Sequence, residues 1–359
     1  MTIYTYQADC GDAFRIKYIG EDGVSHNIFI DSGYERTYNN VLEKVITEII
    51  SAGELIDLWV VSHIHDDHIG GVIGYFQSVF NLTSKNVVQL WYYNEPRHRK
   101  ENVSESEHEI SSAASIRQGD YLTQYLRYTS QLNKSDITKE TMIKDLYGLK
   151  ITTLSPDQKR LNRLRDKFKT RKSQLMNYSE ITELSEPASA ISNDYNFRIE
   201  DFDFNTFTED SSVENGSSIA IITEYNHKRI LWLADSHPSI IVKSLKDLGF
   251  SEGNPLLCDW VKVSHHGSMS NNSIELYSML KCTKFIISSN GENKHNLPNK
   301  ACIASILRNK NRNIEEGYHF HFTYDNKLLK DMFKIDGKNV FETWNFSVNF
   351  QNESVFKIM

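Results

Sequence analysis

Apolar and polar positions along the chain fall into two blocks of alternating elements. In the first, IYTYQ, AFRIKYIG and HNIFIDSGY read as strands, and YNNVLEKVITEIISAG spaces its apolar residues at the helical period. LIDLWVVS reads as a buried strand, GGVIGYFQSVF as a loop running into a helix, and NVVQLWYY as another strand. Residues 105 to 133 have a helical pattern, and LKITTLS returns to strand. The second block is more regular. SSIAIITEY, KRILWLADS, CDWVKVSHHGS and TKFIISSN are strands, with helices predicted over 238 to 248, 272 to 281 and 299 to 309. GYHFHFTY, FSVNF and SVFKIM close the chain as short strands. Strands interleaved with helices in two blocks predict an α/β layered fold.

Charge changes the picture between the blocks. Residues 159 to 172, KRLNRLRDKFKTRK, hold eight basic residues and one acidic, whereas residues 180 to 214 hold ten acidic residues and one arginine. Residues 157–212 therefore read as a charged insertion, a basic helix followed by an acidic segment, near the active-site face of a single domain spanning 1–359. Leu161, Leu164, Phe168 and Leu175 give the basic helix an apolar stripe that predicts packing. Its cations Arg163, Arg165, Lys167 and Lys169 are either a nucleic-acid contact or a solvated face paired with the acidic segment.

The bulk numbers exclude more than they assign. A formal net charge of −7 argues against a globally basic nucleic-acid coat. No apolar run approaches the roughly 20 residues that span a bilayer, so no membrane partner is expected. MTIYTYQADCGDAF lacks the pattern of a secretion signal, and Cys10, Cys258, Cys282 and Cys302 form no CxxC pair. A cytoplasmic protein with reduced, mostly buried thiols is the expectation.

The chemistry concentrates in SHIHDDHIGG, residues 62 to 71, directly after the strand LIDLWVVS. His63 and His65 are two apart, so an extended backbone points both the same way, while Asp67 and His68 follow in a predicted glycine-rich turn. Imidazole and carboxylate without thiolate suit Zn²⁺, Mn²⁺ or Fe. Four candidate ligands within six residues crowd one ion, which points to two neighbouring ions. Three further strands end in matching chemistry: Asp31 ends NIFID, Asp235 ends RILWLAD, and His265 and His266 end DWVKVSHH. In layered α/β folds such ends converge on one crevice. For Asp235, capping the next helix is the competing structural role.

HIHDDH resembles the HxHxDH signature of the metallo-β-lactamase fold, an αββα four-layer sandwich. QADCGDAFRI, IFIDSGY, ENGSSIAIITEYNHKRILWLADS, VKVSHHGSMSNNS and FIISSNGENKH are similar, in that order, to the hydrolase domain of the competence protein ComEC. The resemblance runs over nearly the whole chain. It implies two divalent ions, Zn or Mn: His63 and His65 on one; Asp67, His68 and His265 on the other; Asp235 bridging. Asp31 would orient the ligand loop from behind, and His266 would support it. A third histidine, usual before the bridging Asp, is missing. Asn215 stands there as a weak oxygen ligand, while His227 lies at the wrong end of the strand. Such a site generates a nucleophile near neutral pH and neutralises the attacked oxygen. Asp67 would steer its proton, and His295 is the candidate acid or phosphate ligand. The backbone at Gly267 and Ser268 is a candidate phosphate contact.

The resemblance implies a phosphodiesterase or nuclease acting on DNA, RNA or a nucleotide. A lactone or β-lactam hydrolase is the alternative within the enzymes, and a non-catalytic module in a larger complex the alternative outside them. A protein partner is not readable from the residues.

Overall fold

The computed structural model describes residues 1–78, 87–99, 114–175, 193–293 and 295–358, with the side chains of 114–115 and 169–175 outside the description. Sixteen strands are present among these residues. The first five are β1 Thr2–Tyr6, β2 Ala13–Ile19, β3 Ser25–Asp31, β4 Ile56–Val60 and β5 Val88–Tyr92. Next come β6 Met142–Leu146, β7 Leu149–Ser155, β8 Ala220–Tyr225 and β9 Lys228–Trp232, then β10 Leu256–Leu257, β11 Trp260–Lys262, β12 Leu280–Lys281 and β13 Lys284–Ile287. The last are β14 Tyr318–Phe322, β15 Phe346–Phe350 and β16 Val355–Lys357.

They form two large mixed sheets. One runs β16-β1-β2-β3-β4-β5, the other β15-β14-β13-β11-β9-β8-β7-β6, with β10 and β12 as a small separate pair. One side of each sheet, out to its edge, is parallel: β3, β4 and β5 in the first, and β9, β11, β13, β14 and β15 in the second.

Side-chain alternation decides the layering. Ile28, Ile30, Leu58 and Val60 join Ile221, Ile230, Trp232 and Ile286 in a core between the sheets, and the Phe14 and Trp232 rings meet there at 5.4 Å. Their neighbours Phe29, Trp59 and Trp91 point outward beneath the helices Glu43–Ser51, Asp66–Gln77 and Ala114–Tyr128. On the far side, Leu231, Val261 and Phe285 lie beneath the helices Pro238–Asp247 and Lys300–Leu307. The result is the four-layer αββα sandwich that the resemblance implies.

The charged segment touches both helical layers. Leu161, Leu164 and Phe168 of the helix Gln158–Leu175 pack on the first, and Tyr195 and Ile199 pack on the second. Two boundaries differ from expectation. The helix predicted over 272 to 281 is the five-residue Ile274–Ser278, which ends as the chain enters β12. Of the helix read over 105 to 133, residues 105–113 lie outside the described residues, and within them it runs Ala114–Tyr128, ending short of 133.

Candidate metal centre

Parallel strands within each sheet carry their C-terminal ends to one edge, and four of those ends build the site. Asp31 closes β3, the 62–68 stretch follows β4, Asp235 follows β9, and His265 and His266 follow β11. The predicted turn after His65 is instead a helix. Asp66 to Gln77 is helical, His65 caps it in extended conformation, and Asp66 and Asp67 stand in its first turn, where the helix dipole favours carboxylates. The paired glycines serve close approach rather than bending. A β-carbon on Gly71 would sit 2.2 Å from the Ser32 carbonyl oxygen, and one on Gly11 2.4 Å from the Asp67 carbonyl oxygen.

Two groups of donor atoms share Asp235. Asp67, His68, Asp235 and His266 lie close enough to hold one ion, and His63, His65 and Asp235 another. Asp235 Oδ2 is 3.3 Å from His68 Nε2 and 3.8 Å from His63 Nε2. His266 Nε2 is 3.1 Å from Asp67 Oδ2. His63 Nε2, His68 Nε2 and both carboxylate oxygens of Asp235 are buried and meet no hydrogen-bond partner. Buried polar atoms are ordinarily paired, so this donor set fits divalent ions.

Supporting groups fix the imidazoles. Asp31, fully buried, accepts the Ser62 backbone N–H and hydroxyl, both at 2.7 Å, and the Nδ1–H of His68 at 2.8 Å. With its own proton given to Asp31, the Ser62 oxygen accepts from His63 Nδ1 at 3.1 Å. Both rings therefore keep Nε2 for a ligand. Asp31 thus stands where the sequence puts it, and Ser62 is a link that sequence reasoning missed.

Asp12 and Lys262 were missed as well. They form a fully buried ion pair across the two sheets; Lys262 also donates to the Ala234 carbonyl, and Asp12 Oδ1 lies 3.4 Å from His266 Nδ1. These two positions are 250 residues apart, and no local pattern joins them.

The charges are strongly coupled. Burial pushes the His63 imidazole well below its ordinary range, and the neighbouring His68 and His65 add to that. Burial opposes charge on His68 too, but Asp235, Asp67 and Asp31 hold it well above. His266 is likewise held well above, against burial, with Asp235 the largest raising influence. The Asp235 carboxyl is held well below its usual range, against burial, by His68, His265 and His266. Burial raises Asp31.

The remaining predicted residues divide. His265 lies beside Asp235, its Nε2 3.6 Å from Oδ2, outside the Asp67–His68–His266 group it was expected to join and outside the His63–His65 group as well. His266, expected to play a supporting part, is in that group. Asn215 stands close by in the short helix Val213–Gly216, with its Oδ1 buried and unpartnered. His295 is an exposed residue of the loop after β13 and belongs to neither donor group. The Ser268 N–H is bonded to the His265 carbonyl at 2.8 Å, which removes it as a phosphate contact.

Of the four cations on the basic helix, Arg165 is buried in a two-pronged pair with Asp136, at 2.7 and 2.8 Å. Lys167 is held by both oxygens of Glu214 at 2.7 Å. Arg163 is exposed, and the Lys169 side chain lies outside the described residues. A helix that must bury one face turns part of its charge inward, so the four do not form one free stripe.

No family model matches the chain, and no curated protein matches it. Among solved structures, the chain is similar to the metallo-β-lactamase fold protein YhfI from Bacillus subtilis. That match has 11% identity over 99% of this chain and 100% of the other, at a TM-score of 0.44. It is also similar to a variant of the β-hydroxylase CmlA, with 11% identity over 99% of this chain and 53% of the other, at a TM-score of 0.39.

Proposed function

We propose that this chain is a metal-dependent hydrolase of phosphodiester bonds, cleaving a nucleic-acid strand or a nucleotide. The observation that carries the reading is the pair of donor groups sharing Asp235, whose buried nitrogens and oxygens have no other partner. Divalent ions held there, Zn²⁺ or Mn²⁺, supply a nucleophile at neutral pH and neutralise charge on an attacked ester. The protein's own part is to hold the ligands still. Asp31 and Ser62 fix His63 and His68, and Asp12 with Lys262 braces the opposite wall. Asp67, a fifth exposed at its side chain, is the acidic group of the set that reaches solvent, and so the one placed to take the nucleophile's proton.

Phosphodiesters are favoured by the resemblance and by the fit of a two-ion site to a doubly charged transition state. The basic helix supports the reading less, because Arg165 and Lys167 are engaged inside the protein. The test is turnover of single- and double-stranded DNA, RNA and a p-nitrophenyl phosphodiester, beside a lactone and a cephalosporin, with added Zn²⁺ or Mn²⁺. Metal-dependent phosphodiester cleavage, abolished in Asp235→Ala with the melting temperature retained, is the expected result. Lactone or lactam turnover alone would move the protein to the other hydrolase class, and metal binding without any turnover would make it a binding module.

A further inference from the structure

The doublet His265–His266 raises a question that the shared-carboxylate reading leaves open: why two consecutive histidines stand in left-handed backbone conformation. His265 has φ 44° and ψ 57°, His266 φ 52° and ψ 22°. Side chains with a β-carbon rarely adopt this region, and two in succession require firm anchoring. The anchors are present. His265 N–H donates to the Ala234 carbonyl at 2.8 Å, and the His265 carbonyl accepts from Ser268 at 2.8 Å. The effect is to splay the rings, with centroids 5.7 Å apart and planes 72° from parallel. They reach different oxygens of one carboxylate: His265 Nε2 is 3.6 Å from Asp235 Oδ2, and His266 Nε2 is 3.7 Å from Asp235 Oδ1.

The hydrogen-bond partners fix which nitrogen of each ring is free. His266 Nδ1 lies 3.0 Å from the Ser288 carbonyl, which can only accept, so Nδ1 carries a proton and Nε2 is the ligand atom. His265 Nδ1 lies 2.8 Å from Asn271 Oδ1. The orientation of that amide is set, because its nitrogen faces two acceptors, Asp210 Oδ2 at 3.1 Å and the Asp235 carbonyl at 3.2 Å. His265 therefore also donates through Nδ1 and keeps Nε2 for a ligand.

We infer that the doublet is divided between the two ions: His266 completes the group of Asp67, His68 and Asp235, and His265 completes the group of His63, His65 and Asp235. The second of these groups has only two imidazoles and one carboxylate oxygen. His265 approaches Oδ2, the Asp235 oxygen that faces both His63, at 3.8 Å, and His68, at 3.3 Å, so the donor count of the two groups, three against four, is what assigns it. A fourth donor there gives the tetrahedral count that zinc favours. Asn215 then has a supporting part. Its amide nitrogen donates to Asp210 at 2.7 Å, beside the Asn271 that holds His265. This inference rests on the two-ion reading and assigns its ligands.

Metal content after dialysis, measured by plasma emission, together with Co²⁺ titration followed by ligand-field absorption, tests it without reference to turnover. The wild-type chain binds two ions, and His63→Ala and His68→Ala bind one each. Adding His265→Ala to His68→Ala should weaken the remaining ion by more than about 100-fold, beyond the roughly 10- to 100-fold that losing a residue behind a ligand costs. Adding it to His63→Ala should leave the remaining ion within about 3-fold. The opposite pattern places His265 on the other ion and overturns the inference. Loss in neither background overturns it too. So does loss of that ion in Asn215→Ala with retention in His265→Ala. His265→Gln and a thermal melt separate ligand loss from misfolding. A wild-type chain that binds no ion refutes the two-ion reading itself, and the inference falls with it.

Discussion

Asp31 Oδ2 accepts the Nδ1–H of His68 at 2.8 Å, with both side chains fully buried. The same carboxylate takes two donors from Ser62, one of them on its other oxygen. An amide cannot serve all three, because its NH₂ must face one of the donors. Asp31→Asn is therefore expected to lower divalent-metal affinity by about 10- to 100-fold. Competition against a chromophoric chelator reads this directly. Unchanged affinity would mean that His68 needs no support from behind.

Arg165 and Arg163 lie two residues apart on one helix with opposite surroundings. Arg165→Ala leaves Asp136 without its two-pronged partner and should lower stability by about 3 kcal/mol. Arg163→Ala, at an exposed position, should change stability by less than about 0.5 kcal/mol. Denaturant titration of the two variants checks the contrast; equal effects would show that the helix does not pack through this face.

Acid should weaken the same contact. Burial opposes charge on Asp136, but Arg165, helped by Gln158 and Arg99, lowers its carboxyl from 3.8 to about 2. Since the folded value is depressed, the stabilisation is full above the unfolded value and lost as pH falls from about 4 towards 2. That drop, at about 1.4 kcal/mol for each tenfold change, is worth roughly 2.5 kcal/mol. Wild type should thus lose more stability across that window than Asp136→Asn. Parallel pH profiles would remove this pair from the acid response.

Gly71→Ala is expected to be severe although it adds one methyl group. The new β-carbon would lie 2.2 Å from the Ser32 carbonyl oxygen, which is backbone and cannot swing aside. The helix Asp66–Gln77 would have to lift off the 32–38 segment, with a loss of more than about 3 kcal/mol. Solubility and melting temperature provide the measurement, and a melt within a few degrees of wild type would count against so close an approach.

Much of this was legible in order along the chain. Alternation at Ile28, Ile30, Leu58 and Val60 placed strands whose inner faces pair across the sheets, because strand periodicity is a local property. The cluster from His63 to His68 was also local, and so were the strand-end residues Asp31 and Asp235. Helix starts near Pro238 and Lys300 fell within a residue of expectation. The glycine pair was misread because close packing needs a partner surface, here Ser32, that lies nearly forty residues upstream.

What the sequence determined by itself was therefore the α/β alternation, the strand ends and the kind of atoms gathered there. The tertiary structure decided how those atoms are shared. His265 and His266 are indistinguishable as letters, and only the splayed backbone and the acceptors Asn271 and Ser288 aim them apart. Arg165 and Arg163 differ in role because one is buried against a half-buried carboxylate and the other faces water. In each case the deciding term is the partner that satisfies or opposes a buried polar group, and folding brings those partners from distant parts of the chain.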